Sequence, residues 1–586
     1  MATKLKSVDV VTVGVGLTGT ILAQELASTG LKVVGIERGR WRDTDPDFAM
    51  PGVHDELKYV RHKELMQDLS KETITFRNSA SETALPMRQL GSFLPGEGVG
   101  GAAVHWGGLT WRFLPWDFET KSQTLTRYGA KQVSEECTMQ DWGVSYAELE
   151  LHFNRFEHLY GVSGKAGNLN GKIIPGGNPF EGARSHEYPN PPLKVGYSSV
   201  LFKQAAEKLG FKTFPVPTAA NSKAYKNEYG QTIAACVYCG YCQFFACEMG
   251  AKGSPQTTVL PVLMKNPNYE LRTLCNVTKI NLDSEKKRAV SVTYVDSRGR
   301  EFEQPADLIL LTSYVLNNTR LMLLSGIGKP YDPAANTGVV GRNYAYQTPS
   351  SVTCFFDDKN FNSFMGAGGM GLAIDEFNGD NFDHTGLGFI GGGFMQAGSN
   401  GARPIEYHPV PSGTPRWGSE FKKAVAKYYN RSFSITIQGA CQSYRGNYLD
   451  LDPTYRDAYG LPLLRMTFDR RDNETKMSEW LTNKAAEIAK TIGPSKMNVN
   501  PRRGKYTIVP YQSTHNTGGT VMGADPNTSV VNKYLQSWDV HNLFVVGAGN
   551  FPQNGGYNPT GTVGALTYQA LEAIKTKYLK KPGALV

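Results

Sequence analysis

The sequence has no apolar run long enough to cross a bilayer, which excludes a membrane span of its own and leaves membrane association to a partner. No twin-Arg precedes the first apolar stretch, and Asp9 and the glycines behind it mark that stretch as a buried strand, not a signal-peptide core. A long basic block is also missing. The net charge is +9, but Lys and Arg alternate with acids along most of the chain, so no nucleic-acid arm is present. The positive excess reads as a surface bias that favours anionic substrates or an acidic partner. There is no internal repeat and no low-complexity segment, and 163–192, rich in Gly and Pro, reads as an extended surface excursion without chemistry. Cysteine is scarce outside one place. Cys137, Cys275, Cys354 and Cys441 stand alone, as small core residues do, whereas Cys236, Cys239, Cys242 and Cys247 crowd into one short stretch.

What is present begins with length. At 586 residues the chain exceeds what one hydrophobic core accommodates, so at least two domains are expected. The β-branched run from Val8 to Val13 leads into Gly14-x-Gly16-x-x-Gly19, a helical stretch ending at Gly30, and a second strand over 32–36 that closes on Glu37. In this pattern the first glycine permits the tight turn, the second lets backbone approach a pyrophosphate, and the third lets helix and strand pack closely. The helix start then offers unpaired N–H groups to the phosphates, and Glu37 stands where an acid takes the ribose hydroxyls and disfavours a 2′-phosphate. The motif by itself leaves FAD and NAD open. Two further buried strands are expected over 307–312 and 542–546, so the nucleotide domain is discontinuous. Between 347 and 503, short alternating runs, aromatics and Gly-rich turns at 366–371 and 391–393 predict an antiparallel sheet, the candidate substrate domain.

A second glycine-rich segment, Gly96 to Gly108, contains Gly98, Gly100, Gly101, His105, Trp106 and Gly107 and is followed by Arg112 to Trp116. It resembles the flavin-contacting motif of the glucose-methanol-choline (GMC) oxidoreductases, especially the branch with membrane-bound gluconate and fructose dehydrogenases and pyranose oxidases. The resemblance covers nearly the whole chain: Trp142 with Ser145 to Glu150, Gly341-Arg342-Asn343, Thr514 to Gly523 and Asn558 to Thr562 are all similar to family segments. It implies an α/β fold with a Rossmann-like FAD-binding domain over 1–346 and 504–586 and a substrate domain over 347–503. It assigns Gly14, Gly16, Gly19, Glu37, Arg38, Gly98, Gly100, Gly101, His105, Trp106, Gly107, Gly547, Asn550, Pro559 and Thr560 to FAD. His105 either bonds covalently to the flavin or packs beside it. His515 becomes the catalytic base, as suits a neutral imidazole drawing a hydroxyl proton while hydride leaves the carbinol carbon, and Asn558 its partner. Pro559 opens the last helix, whose N-terminus would stabilise reduced flavin.

The spacing Cys236-x2-Cys239-x2-Cys242-x4-Cys247, within 230–255, is close to a run that wraps an iron–sulfur cluster; zinc or a disulfide pair are the alternatives. The resemblance favours three iron atoms over four, and hence a dehydrogenase that releases single electrons. It further implies a sugar or sugar-acid substrate of gluconate type, a small chaperone-like subunit, a multihaem cytochrome c, and co-export to the periplasmic face of the inner membrane, with the cytoplasm as the alternative location. Competing readings are a pyranose oxidase, another sugar or glycoside dehydrogenase, and a non-enzymatic electron-transfer or redox-sensing subunit.

Overall fold

The structure is a computed structural model that describes residues 2–43, 47, 49, 57, 65–88, 95–403, 405, 407–509 and 514–585. Val8–Val13, β-branched at nearly every position, forms the centre of a mixed sheet. It runs parallel to Val33–Ile36 on one side and Glu301–Leu311 on the other. Tyr269–Arg272 extends the parallel part beyond Val33–Ile36, and Leu543–Val545 pairs in parallel with the end of Glu301–Leu311. Ala289–Val295 and Asn276–Leu282 continue it as antiparallel strands. Helices cover these strands, so their side chains are buried and apolar in near-continuous runs.

Helix Leu17–Ala27 is buried from Thr18 to Ala27 and packs against the helix Thr560–Ala573, which lies in turn on Tyr146–Tyr160. The last of these is opened by Ser145, whose side chain caps Glu148 N while Glu148 reaches back to Ser145 N. The carboxyl ends of the parallel strands all point the same way, which is where open α/β sheets bind ligands.

A second sheet is antiparallel throughout, in the order Lys496–Asn500, Thr348–Phe355, Ser432–Gly439, Gly393–Asn400, Gly366–Ile374 and Phe214–Pro215. Its two faces differ as a period of two requires. Val352, Ile435, Ile437 and Met395 bury themselves under helices Asp472–Ile492 and Tyr197–Lys208. Pro349, Ser351, Thr436, Gln438, Phe394 and Gln396 line a cavity shared with the first sheet. No helix among the described residues is long and apolar enough to cross a membrane.

Two expectations need correction. The glycines of 366–371 do not form a turn but open the strand Gly366–Ile374. A Cβ on Gly368 would stand 1.6 Å from Gly107 O, so glycine is required there because two backbones touch. The 163–192 excursion is tied into the interior as well. Arg184 is fully buried and pairs at 2.6 Å with Glu157, which also holds Arg112 at 2.8 Å.

Candidate active site

One cavity of about 600 Å³ runs from the ends of the parallel strands to the polar face of the second sheet. Its lining includes Gly14, Gly16, Glu37, Arg38, Gly98, Gly101, His105, Trp106, Gly107, His515, Gly547, Asn558, Pro559 and Thr560. Gly19, Gly100 and Asn550 do not line it. Gly19 holds the helix against the strand, since a Cβ there would lie 2.2 Å from Gly14 O, and Gly100 packs beneath Gln256. Asn550 donates to Thr520 O and accepts from Gly547 N, which shapes the loop behind the wall.

At the first end, Gly14 turns at φ +94°, where a Cβ would meet Ser313 Cα at 2.8 Å. Gly100 N donates to Val15 O at 2.7 Å, so the two glycine-rich loops close on one another. Helix Leu17–Ala27 starts at Gly16 without a side-chain cap, so its first N–H groups are available to phosphates. Buried Glu37 accepts from Val15 N and Gly39 N, each at 2.9 Å, and burial raises its pKa. Arg38 faces Glu72 and Glu97, both at 3.4 Å, and Glu72 also meets Arg320 at 3.0 Å. A glycine cradle, an uncapped helix and a buried acid together fit an adenine dinucleotide.

At the other end His515 is partly buried in the cavity wall, and burial drives its pKa down to about 4, so the ring is neutral at physiological pH. Its Nε2 lies 2.8 Å from Asn558 Nδ2, and its Nδ1 lies 3.1 Å from Gln438 Nε2. Gln438 also donates to Gln347 Oε1, and Gln347 donates to Gly555 O and Tyr557 O, each at 2.6 Å. Asn558 Oδ1 is buried without a hydrogen-bond partner among the described residues, an acceptor left for a ligand hydroxyl. Tyr557 stacks on Trp111 with ring centroids 4.6 Å apart and donates to buried Asp375, which also accepts from Asn178 at 2.9 Å. Sequence reading passed over Gln347, Gln438 and Asp375, which carry no motif. Gln347 and Asp375 sit just outside strands, and Gln438 is one of several polar residues alternating along Ser432–Gly439, so none stands out in the sequence.

These residues build a dinucleotide cradle at one end of a cavity and an imidazole–amide pair at the other. The GMC oxidoreductase family matches residues 191–348 and 443–567. Over its full length the chain is 50% identical to gluconate 2-dehydrogenase flavoprotein of Pantoea cypripedii, covering 96% of that protein. The chain is a GMC oxidoreductase. It is 25% identical to the fructose dehydrogenase large subunit of Gluconobacter japonicus, with 98% of this chain and 99% of that protein covered. Pyridoxine 4-oxidase from Mesorbium loti shares its fold at a TM-score of 0.59 and 15% identity, covering 97% of this chain and 99% of that one. As a member of this family it is an FAD-dependent dehydrogenase acting on CH–OH donors. FAD, when bound, supplies the hydride acceptor.

The cysteine loop packs directly behind the cavity wall of this GMC oxidoreductase. Phe244 N donates to His105 O at 2.9 Å. Buried Lys252 donates from Nζ to Trp106 O, Cys242 O and Phe245 O at 2.7, 2.8 and 2.9 Å. Cys236 and Cys247 each accept a backbone N–H at 3.4 Å, from Tyr238 and Ala251. Burial pushes the Cys236 thiol up to about 12, with the fields of Cys242, Cys239 and Cys247 adding to the rise. Among the described residues, however, no three His, Cys, Asp or Glu side chains are arranged to hold a metal ion. As placed, the four sulfurs do not form a ligand set.

Proposed function

We propose that the chain oxidises a secondary alcohol of a polyhydroxy acid of gluconate type. The observation that carries this is the His515–Asn558 pair, 2.8 Å apart, at the far end of the cavity from the dinucleotide cradle. The name and identity of the Pantoea cypripedii relative support the substrate class. In this reading His515 accepts the hydroxyl proton at Nε2, the nitrogen facing Asn558, while Asn558 orients the hydroxyl through its amide. Both side chains are partly buried in the cavity wall. Gly14, Gly16, Glu37 and Gly101 hold the adenine and pyrophosphate part, and His105 to Gly107 with Pro559 and Thr560 hold the flavin part. Helix Thr560–Ala573 starts without a side-chain cap, and its positive end favours a reduced, anionic ring system. His105 stands in the cavity wall, where a covalent bond to the cofactor is tested by whether flavin stays with the denatured chain.

Onward transfer of electrons through an iron–sulfur cluster, of three iron atoms in preference to four, to a cytochrome c partner belongs to the same proposal. It rests on the cysteine spacing and on the place of the loop behind Trp106, and it requires the sulfurs to close together. Assay of iron and acid-labile sulfide decides it: full flavin with negligible iron removes this part. A small partner subunit and a periplasmic location reached by co-export complete the reading; the fructose dehydrogenase relative is itself a large subunit.

The first test is anaerobic titration with D-gluconate, then D-glucose and D-fructose, followed by visible absorbance. Bleaching of the flavin band near about 450 nm by gluconate at the lowest concentration is expected. Bleaching by the neutral sugars alone removes the sugar-acid assignment.

A further inference from the structure

The polar face of the second sheet ends at an arginine that no acid among the described residues neutralises. Arg502 follows the edge strand Lys496–Asn500 and lines the cavity. Two bonds fix it in place: its backbone N–H donates to Ser478 Oγ at 2.9 Å, and its Nε donates to Pro349 O. Pro349 is the cross-strand partner of Gln438, the residue whose amide meets His515 Nδ1. Directly paired residues in antiparallel strands stand about 5 Å apart, so the guanidinium is anchored on the strand next to the one that carries Gln438.

Arg502 is solvent-exposed, and no acid among the described residues pairs with it. Its terminal nitrogens bond to nothing among the described residues, whereas Arg503 beside it pairs with Glu479 at 2.7 Å. Behind it stands a second cation. Arg470 lies over the Tyr506 ring at 5.0 Å, and its buried Nε has no hydrogen-bond partner. Burial lowers the pKa of Arg470, and the charge of Arg502 lowers it further. The adjacent acid, Asp469, is already engaged by Arg470 N at 2.9 Å and Tyr506 N at 2.8 Å. Buried Arg112, Arg184 and Arg320, by contrast, meet carboxylates. Two neighbouring guanidinium groups without a carboxylate repel each other, and an anion that bridges them relieves that repulsion.

We propose that Arg502, with Arg470 behind it, is the subsite that binds the carboxylate of the substrate and selects an acid over the neutral polyol of the same length. This rests on the sugar-acid reading above and adds the residues that make the choice. A planar guanidinium offers a carboxylate two parallel N–H bonds, and its distance from His515 fixes which hydroxyl reaches the ring.

The test compares D-gluconate with D-glucitol as substrates for the flavin-loaded wild type and for Arg502→Met, Arg502→Lys and Arg470→Met, using an artificial electron acceptor. In Arg502→Met the gluconate-to-glucitol ratio of kcat/KM is expected to fall ten- to a hundredfold, mostly through KM for gluconate. Arg502→Lys restores part of it, and Arg470→Met loses less. Inhibition by hexanoate, a six-carbon carboxylate with no hydroxyl to oxidise, is measured at constant ionic strength against whichever sugar turns over. Its inhibition constant rises at least tenfold in Arg502→Met. If wild type oxidises only neutral sugars yet hexanoate inhibits through Arg502, the sugar-acid reading and the selection of an acid both fail, and Arg502 is left as a carboxylate-binding residue without that role. An unchanged ratio together with unchanged inhibition overturns the subsite.

Discussion

His515 and Asn558 meet nitrogen to nitrogen, with Nε2 and Nδ2 2.8 Å apart, while a second amide nitrogen, from Gln438, faces the other side of the ring at 3.1 Å. A neutral imidazole carries one N–H and can accept at one nitrogen only. Gln438 is pinned as a donor by Gln347, which two carbonyls orient. Asn558 is free to reverse, because its Oδ1 has no partner among the described residues. At rest, therefore, Nδ1 accepts from Gln438 and Nε2 carries the proton. Accepting a substrate proton at Nε2 requires Gln438 to turn its oxygen to the ring.

Gln438→Glu tests that requirement. A carboxylate at Nδ1 holds the proton there, bares Nε2 and raises the ring's pKa from about 4. The acid limb of the pH profile is expected to move to higher pH with kcat maintained. Gln438→Leu offers Nδ1 nothing and should lose about 1–3 kcal/mol of transition-state stabilisation, roughly ten- to a hundredfold in kcat. A limb that stays put in Gln438→Glu removes the amide from the mechanism.

In the wild type, kcat/KM should hold down to about pH 5 and fall with an apparent pKa near 4, since the protonated ring cannot act as a base. An unperturbed histidine would fail near pH 6.5. Stability follows the same sign. The folded pKa lies below that of the unfolded chain, so stability is complete above about 6.5 and is lost as pH falls toward 4, by about 3 kcal/mol. Denaturant melts between pH 4 and 7 measure this.

Replacing His515 by Ala should lower kcat by about a hundredfold to ten-thousandfold while flavin content is retained, because the ring lies at the end of the cavity away from the cradle. Stopped-flow flavin reduction checks it. Turnover that survives intact would return the chain to an electron-transfer role.

Gly19→Ala should reduce bound flavin. The new Cβ would stand 2.2 Å from Gly14 O and 2.8 Å from Thr312 Oγ1, so the phosphate turn must shift. The ratio of flavin to protein absorbance after purification reads the loss, and overpacking of this kind destabilises by about 1–3 kcal/mol.

Much of the nucleotide half was legible in the sequence, because its signals are local. The run from Val8 to Val13 is the strand observed, and Leu17–Ala27 follows it as helix. The strand expected over 307–312 is the end of Glu301–Leu311, and 542–546 contains Leu543–Val545. Gly366–Ile374 was misread because its glycines answer a backbone contact with Gly107, far away in the sequence. Gln438 and Arg502 went unseen for a related reason. Alternation within Ser432–Gly439 is plain, but nothing local says that its polar face looks onto a cavity instead of water.

The central sheet joins segments from near the start, the middle and the end of the chain: Val8–Val13, Glu301–Leu311 and Leu543–Val545. During synthesis the glycine cradle emerges well before Asn558 and the helix Thr560–Ala573. The cavity thus has no far wall until those later segments have been made. FAD is captured only then, and a cell short of flavin would accumulate apoprotein that already carries both ends of its cavity, not short fragments, as the species its proteases must clear.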